Sequence, residues 1–149
     1  MVRVAIGSDH AGFDLKQTIK ALLARLRIPC EDAGTASTDS ADYPDVAEAV
    51  AGAVLGGRAD RGILICGTGI GMSIAANKIP GIRAALAWDE ASAALGRAHN
   101  DANIMAIGGR TTPFGSVEGM VRAFLTTEYE GCRHDARLAK VARLECKDT

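Results

Sequence analysis

Short apolar runs, separated by stretches of helical period, most limit what this chain can fold into. Val2 to Ile6, Ile63 to Cys66, GIRAALAW (81–88) and ANIMAIGG (102–109) are predominantly apolar on consecutive positions, as strands covered on both faces are. Between them the spacing changes. Leu15, Ile19, Leu22, Leu23 and Leu26 mark one face of a helix that Pro29 ends, with a weak strand following near Cys30. TASTDSADYPD (35–45) is a polar loop whose Pro44 suits the first turn of a second helix, marked by Val46, Val50, Ala53 and Val54 and stopped by Gly56 and Gly57. A short helix over 71–78, a helix over EASAALGRAHN (90–100), one carrying Val117, Val121, Phe124 and Leu125, and a last one carrying Leu138, Val141 and Ala142 complete the series. Strands alternating with helices predict an α/β fold with a parallel sheet covered on both faces. The chain has no internal repeat, linker or low-complexity segment, so its 149 residues read as one domain, 1–149.

Composition removes several function classes. A formal net charge of −1 gives no nucleic-acid footprint, and 4% aromatic residues supply no platform for stacking bases. Cys30, Cys66, Cys132 and Cys146 show no C-x-x-C spacing, so a zinc site is not expected, and a chain with an ample core and no secretory signal is not expected to carry a disulfide framework. The start, MVRVAIGSDH, reaches Asp9 too early for a secretory apolar region. No apolar run approaches the roughly 20 residues of a membrane span. These features read as a soluble cytoplasmic protein.

Parallel sheets bind ligands beyond the carboxyl ends of their strands. After the first strand stands GSDHAG, with Asp9 and His10; after Ile63–Cys66 stands CGTGIG; after the last strand stands GGRT, with Arg110. His99 and Asn100 lie just before that last strand, and Arg133, His134 and Arg137 lie near the C-terminus. Gly67, Gly69 and Gly71 allow a tight turn that aims backbone N–H groups at an anion, with a helix start behind them. The loop lacks a Walker lysine, and Met72 occupies the third glycine position of a dinucleotide fingerprint. Cys66 suits either a small buried hydrophobe or a reactive group. Its place beside the glycine loop favours the thiolate, a nucleophile or proton-abstracting base. All three histidines, His10, His99 and His134, fall in polar, loop-like stretches, with no spacing that predicts a metal. Arg133 and Arg137, one turn apart if helical, suit a phosphate or a solvated basic face.

GSDHAG, DYPD, GILICGTGIGMSIAANK, GIRAAL, RAHNDANIMAIGGR and EGCRHDAR together, in this order from Val2 to about Arg143, resemble the B-type ribose-5-phosphate isomerases, a family that also holds galactose-6-phosphate isomerase subunits. The resemblance implies a Rossmann-like, three-layer α/β/α sandwich with a five-stranded parallel sheet. It implies a homodimer, in some members paired into a tetramer, with the active site at the subunit interface. It implies metal-free, cofactor-free interconversion of D-ribose 5-phosphate and D-ribulose 5-phosphate, a step of the non-oxidative pentose phosphate pathway. Cys66 then matches the base that moves a proton between C2 and C1 through an enediolate. Thr68 matches the hydroxyl beside it, and Gly67, Gly69, Ile70 and Gly71 the anion hole. His99 matches the ring-opening acid–base from the partner subunit. Asp9, His10, Tyr43, Asn100 and Arg110 match sugar contacts, and Arg133 and Arg137 phosphate ligands, with His134 nearby. Some relatives use a glutamate a few residues after the cysteine's position; here Met72 stands there and the cysteine is present.

The chemistry agrees with the residues: removing a weakly acidic proton beside a carbonyl needs a positioned base and fixed donors where charge develops. Three other readings stay open at this point. The same mechanism could serve a six-carbon sugar phosphate such as allose or galactose 6-phosphate. A non-catalytic sugar-phosphate sensor would keep the loop and the arginines but have no use for the thiol. A thiol acyl-transfer enzyme would leave the phosphate anchors unexplained.

Overall fold

A computed structural model describes residues 1–146. Five parallel strands, β1 (Val4–Ser8), β2 (Cys30–Asp32), β3 (Arg61–Cys66), β4 (Ala84–Leu86) and β5 (Ile104–Gly108), form one sheet in the order β2-β1-β3-β5-β4. The helices are α1 (Phe13–Arg25), α2 (Tyr43–Leu55), α3 (Ile70–Asn77), α4 (Glu90–Asn100), α5 (Phe114–Thr126) and α6 (Arg133–Glu145). Consecutive strand residues point to opposite faces, and both faces are apolar. Val4, Ile6, Ile63, Ile65, Met105 and Ile107 meet α1, α4 and α5; Ala5, Leu64, Cys66, Ile104 and Ala106 meet α2 and α3. This is the expected three-layer α/β/α arrangement. Among the described residues, no helix is long and apolar enough to cross a membrane.

Three local outcomes depart from the sequence reading. Helix α1 stops at Arg25, ahead of Pro29, because Arg27 turns left-handed (φ 59°). The Arg27 and Ile28 N–H groups then close on the Ala24 and Leu23 carbonyls at 3.0 and 2.9 Å, a Schellman cap built without glycine. The GIRAALAW segment gives only a three-residue edge strand, since Gly81 (φ 89°) begins it with a turn. Helix α6 begins at Arg133, and its apolar residues do not enter the core: Leu138 is half-buried, and Val141 and Leu144 are exposed.

The loop between β2 and α2 is braced from below. Lys16, fully buried on α1, donates to Asp32 Oδ1 at 2.8 Å and to the Thr35 carbonyl, while Lys20 reaches Asp32 Oδ2 at 2.8 Å. Burial alone would push the Asp32 carboxyl up, but the hydrogen bonds from Lys16 and Lys20 outweigh it and hold it below the usual carboxylate range.

Candidate active site

Strand order reverses between β1 and β3, so their helices leave to opposite faces and open a crevice at the carboxyl ends. Asp9 begins the turn His10–Gly12: its Oδ1 accepts the N–H groups of Ala11 and Gly12 at 3.0 and 3.1 Å. The Ala41 N–H donates to His10 Nδ1 at 3.2 Å, which in the neutral ring puts the proton on Nε2 and leaves an N–H donor there. Across the crevice, Cys66 ends β3 with its side chain buried, and its Sγ accepts the Gly69 N–H at 3.2 Å. Gly69 must be glycine: its φ is 80°, and a methyl group there would come 2.8 Å from the Ile107 carbonyl carbon. Thr68 Oγ1 accepts the Ile70 N–H at 3.2 Å, so the hydroxyl is fixed beside the opening turn of α3. Tyr43, first residue of α2, rests its ring against Gly71, where a methyl group would come 2.9 Å from the ring. The loop after β5 forms the third wall. The Gly109 and Arg110 N–H groups donate to the Cys66 and Gly67 carbonyls at 2.7 and 2.9 Å, and the Arg110 side chain lies alongside Gly67. Asp9, His10, Tyr43, Cys66 to Gly71 and Arg110 therefore converge.

The remaining candidates gather elsewhere. Helix α4 leads from β4 back toward the start of β5, which places His99 and Asn100 at the opposite end of the sheet from Cys66. Arg83 Nε donates to the Asn100 and Asp101 carbonyls at 3.0 and 3.1 Å, a cation on the negative end of α4. After α5, positive φ at Gly131 and Cys132 turns the chain sharply into α6. Arg133 and Arg137 lie one turn apart on its exposed side. His134 is buried, and its ring stacks on that of His99 with centroids 4.5 Å apart and planes 21° from parallel. Glu130 Oε2 lies 3.3 Å from His134 Nε2 and 3.9 Å from His99 Nε2. The ligand atoms of these three residues fall within 4.8 Å of one another, a set of the right types for a metal. Stacked rings, however, send their in-plane lone pairs side by side rather than to a common point, so sharing an ion would require one ring to turn. His99 lies in the last turn of the helix expected over 90–100, and His134 in the first turn of α6 rather than in a loop-like stretch.

A family model described as Ribose/Galactose Isomerase matches residues 4–141. The chain belongs to that family. It is 46% identical over 145 residues to ribose-5-phosphate isomerase B of Escherichia coli, covering 97% of each chain. It is 40% identical over 146 residues to D-erythrulose-4-phosphate isomerase of Pectobacterium atrosepticum, covering 97% of this chain and 96% of that one. The structure of Clostridium thermocellum ribose-5-phosphate isomerase B superposes with a TM-score of 0.94 at 45% identity, covering 96% of this chain and 97% of that one.

In this member of the ribose/galactose isomerase family, the crevice offers a thiol, a hydroxyl and backbone donors, while the far end offers imidazoles and guanidiniums. Glu130 was missed in the sequence reading. The only sequence trace is that EGCRH places a carboxylate four positions before His134; the turn at Gly131 and Cys132, not a helix, brings the two together. The sequence shows no H-x-x-x-H pair and no fixed carboxylate spacing of the kind that predicts a metal, so this carboxylate does not stand out there.

Proposed function

We propose that the protein isomerises sugar phosphates between aldose and ketose, with D-ribose 5-phosphate and D-ribulose 5-phosphate as its pair. The working unit is a homodimer in which the Cys66 crevice of one chain meets the His99 end of the other. The observation that carries this reading is Cys66 Sγ at the mouth of the glycine loop, 3.2 Å from the Gly69 N–H, at the strand-order reversal.

The Cys66 thiolate takes the proton from C2 of the open-chain aldose. The electron pair moves into a C1–C2 double bond, and charge falls on O1, to be met by the N–H groups of the glycine loop other than those of Gly69 and Ile70, which the Cys66 sulfur and the Thr68 hydroxyl already hold. A proton passes from O2 to O1 beside Thr68, and the thiol returns its proton to C1, giving the ketose. Preorganised donors of this kind are worth about 3 kcal/mol each. Before that step, His99 takes the proton of the anomeric hydroxyl and returns one to the ring oxygen, opening the sugar. Arg133 and Arg137 hold the phosphate, with His134 beside them. Asp9, His10, Tyr43, Asn100 and Arg110 fix the hydroxyls, so that binding energy aligns C1 and C2 with the sulfur. No step calls for a metal or cofactor.

Two features support the second copy. His99 and Cys66 stand at opposite ends of one sheet. Apolar side chains without a core are also concentrated near the edge strand β4. Ile70, Ile74, Trp88 and Leu95 are exposed, and Val141 and Leu144 of α6 border an open groove of about 600 Å³ that Pro80 and Ile82 also line. The Pectobacterium relative's name favours a second reading, the same mechanism on a sugar phosphate of another length.

The test is turnover of ribose 5-phosphate, erythrose 4-phosphate, allose 6-phosphate and galactose 6-phosphate without added metal, by wild type and Cys66→Ala. Ribose 5-phosphate should be preferred, and the variant should lose at least about a thousandfold with its circular dichroism unchanged. Preference for another sugar changes the substrate. Substantial turnover by the variant rejects the thiol mechanism.

A further inference from the structure

Glu130 lies outside the residues given a role above, yet it joins every part of the His99 end. Its backbone N–H donates to the Ala98 carbonyl at 3.0 Å, fixing it to the last turn of α4 immediately before His99. Its carboxylate faces His134 Nε2 at 3.3 Å, and His134 lies buried with its ring flat against that of His99. The circuit is closed: Ala98 holds Glu130, Glu130 holds His134, and His134 covers one face of the His99 ring. His99 itself is only partly buried, and Glu130 Oε2, at 3.9 Å from its Nε2, is too far for a hydrogen bond. Without the stacked partner, that imidazole would be free to sample other rotamers.

We infer that Glu130 is a positioning residue for His99: through His134 it sets the plane of the His99 ring for opening the cyclic sugar. The inference rests on the ring-opening role proposed for His99. Glu130 exchanges no proton with the sugar in this scheme. His134 Nε2–H donates to the carboxylate, and only the orientation of His99 is passed on. A poorly held acid–base group loses much of its effect while substrate binding survives. Glu130 Oε2 also lies 3.9 Å from Arg133 Nη2, but that pair is solvent-exposed and contributes little, so the phosphate arginines keep their places on α6 without it.

The chemistry of the two substrates supplies the discriminating measurement. Ribose 5-phosphate enters as a ring. Ribulose 5-phosphate has its ring-closing hydroxyl phosphorylated and is already open. Initial rates in the two directions are compared for wild type, Glu130→Ala, Glu130→Gln, His99→Asn and the double variant Glu130→Ala/His99→Asn. For Glu130→Ala, kcat on ribose 5-phosphate should fall at least about tenfold with KM within about twofold, while the initial rate on ribulose 5-phosphate, whose open-chain aldose product leaves the site and closes its ring in solution, should stay within about threefold. Glu130→Gln, whose amide oxygen still accepts from His134, should recover to within about threefold of wild type. In the double variant, Glu130→Ala should cost nothing beyond His99→Asn. Equal loss in both directions, no loss, failure of the glutamine to rescue, or a loss that adds to His99→Asn overturns the inference. An inactive wild type removes the parent reading and this one with it. An active wild type with an indifferent Glu130→Ala removes this one alone.

Discussion

The two ends of the sheet are built from different materials. At the carboxyl end, the crevice is made by backbone: a left-handed glycine, two N–H groups bonded to the Cys66 sulfur and the Thr68 hydroxyl, and a third loop tied to the Cys66 and Gly67 carbonyls. At the amino end, the groups offered to a ligand are side chains: stacked imidazoles, a shared carboxylate and arginines on the first turns of α6. Backbone groups sit where the fold puts them and cannot change rotamer. Side chains on α4 and α6 need other side chains to hold them, which is the work of Glu130 and His134. Where charge must be met without reorganisation, backbone is the better material; where a phosphate must be gripped, long cationic side chains are.

The strongest way to break this comparison is to ask whether the two ends work across chains. Cys66→Ala and His99→Asn homodimers should each fail on ribose 5-phosphate. Co-refolded in equal amounts, they should recover about a quarter of wild-type activity, because half the dimers then hold one intact site of two. No recovery would place both residues in the same chain's site.

A smaller effect concerns the brace under the carboxyl end. Asp32→Asn leaves the buried Lys16 ammonium without its carboxylate and should cost about 3 kcal/mol in chemical denaturation at neutral pH. The sign of the pH dependence follows from the lowered Asp32 value: its contribution is full above the ordinary carboxylate range and is lost as pH falls through the folded-state value. The gap between wild type and variant should therefore close below about pH 4. A gap that persists there would mean the loss is steric rather than electrostatic.

The smallest effect belongs to the amino end. Arg27→Gly relieves a left-handed arginine at the Schellman cap and should raise stability by about 1 kcal/mol without changing turnover. A loss of stability would show that the Arg27 side chain offsets its own backbone strain.

The order of elements was legible in the sequence because the strands other than β2 are short apolar runs and each helix is a separate periodic stretch; β2, the exposed Cys-Glu-Asp edge strand, left only a faint mark. The crevice was legible for the same reason: Asp9, His10, Cys66 to Gly71 and Arg110 follow strands directly, and strand ends face one way in a parallel sheet. The His99 end was not. His99 and His134 are 35 positions apart (134 − 99) on two helices, and no periodicity within either predicts that their rings stack. The apolar face of α6 also misled. Leu138, Val141 and Ala142 have the spacing of a core-facing helix, yet the core of this chain is filled without them. Amphipathic spacing tells that a face will be covered, not by which molecule.

The missing side chains around Cys66 have a consequence for descent. A methyl group at Gly109 would come 2.8 Å from the Ala11 carbonyl oxygen, one at Gly69 would strike Ile107, and one at Gly71 would strike Tyr43. Three loops interlock at the backbone here, leaving almost no position that a neutral substitution could explore. Packing alone forbids a larger residue at Gly69, Gly71 and Gly109, whatever chemistry the crevice is asked to do.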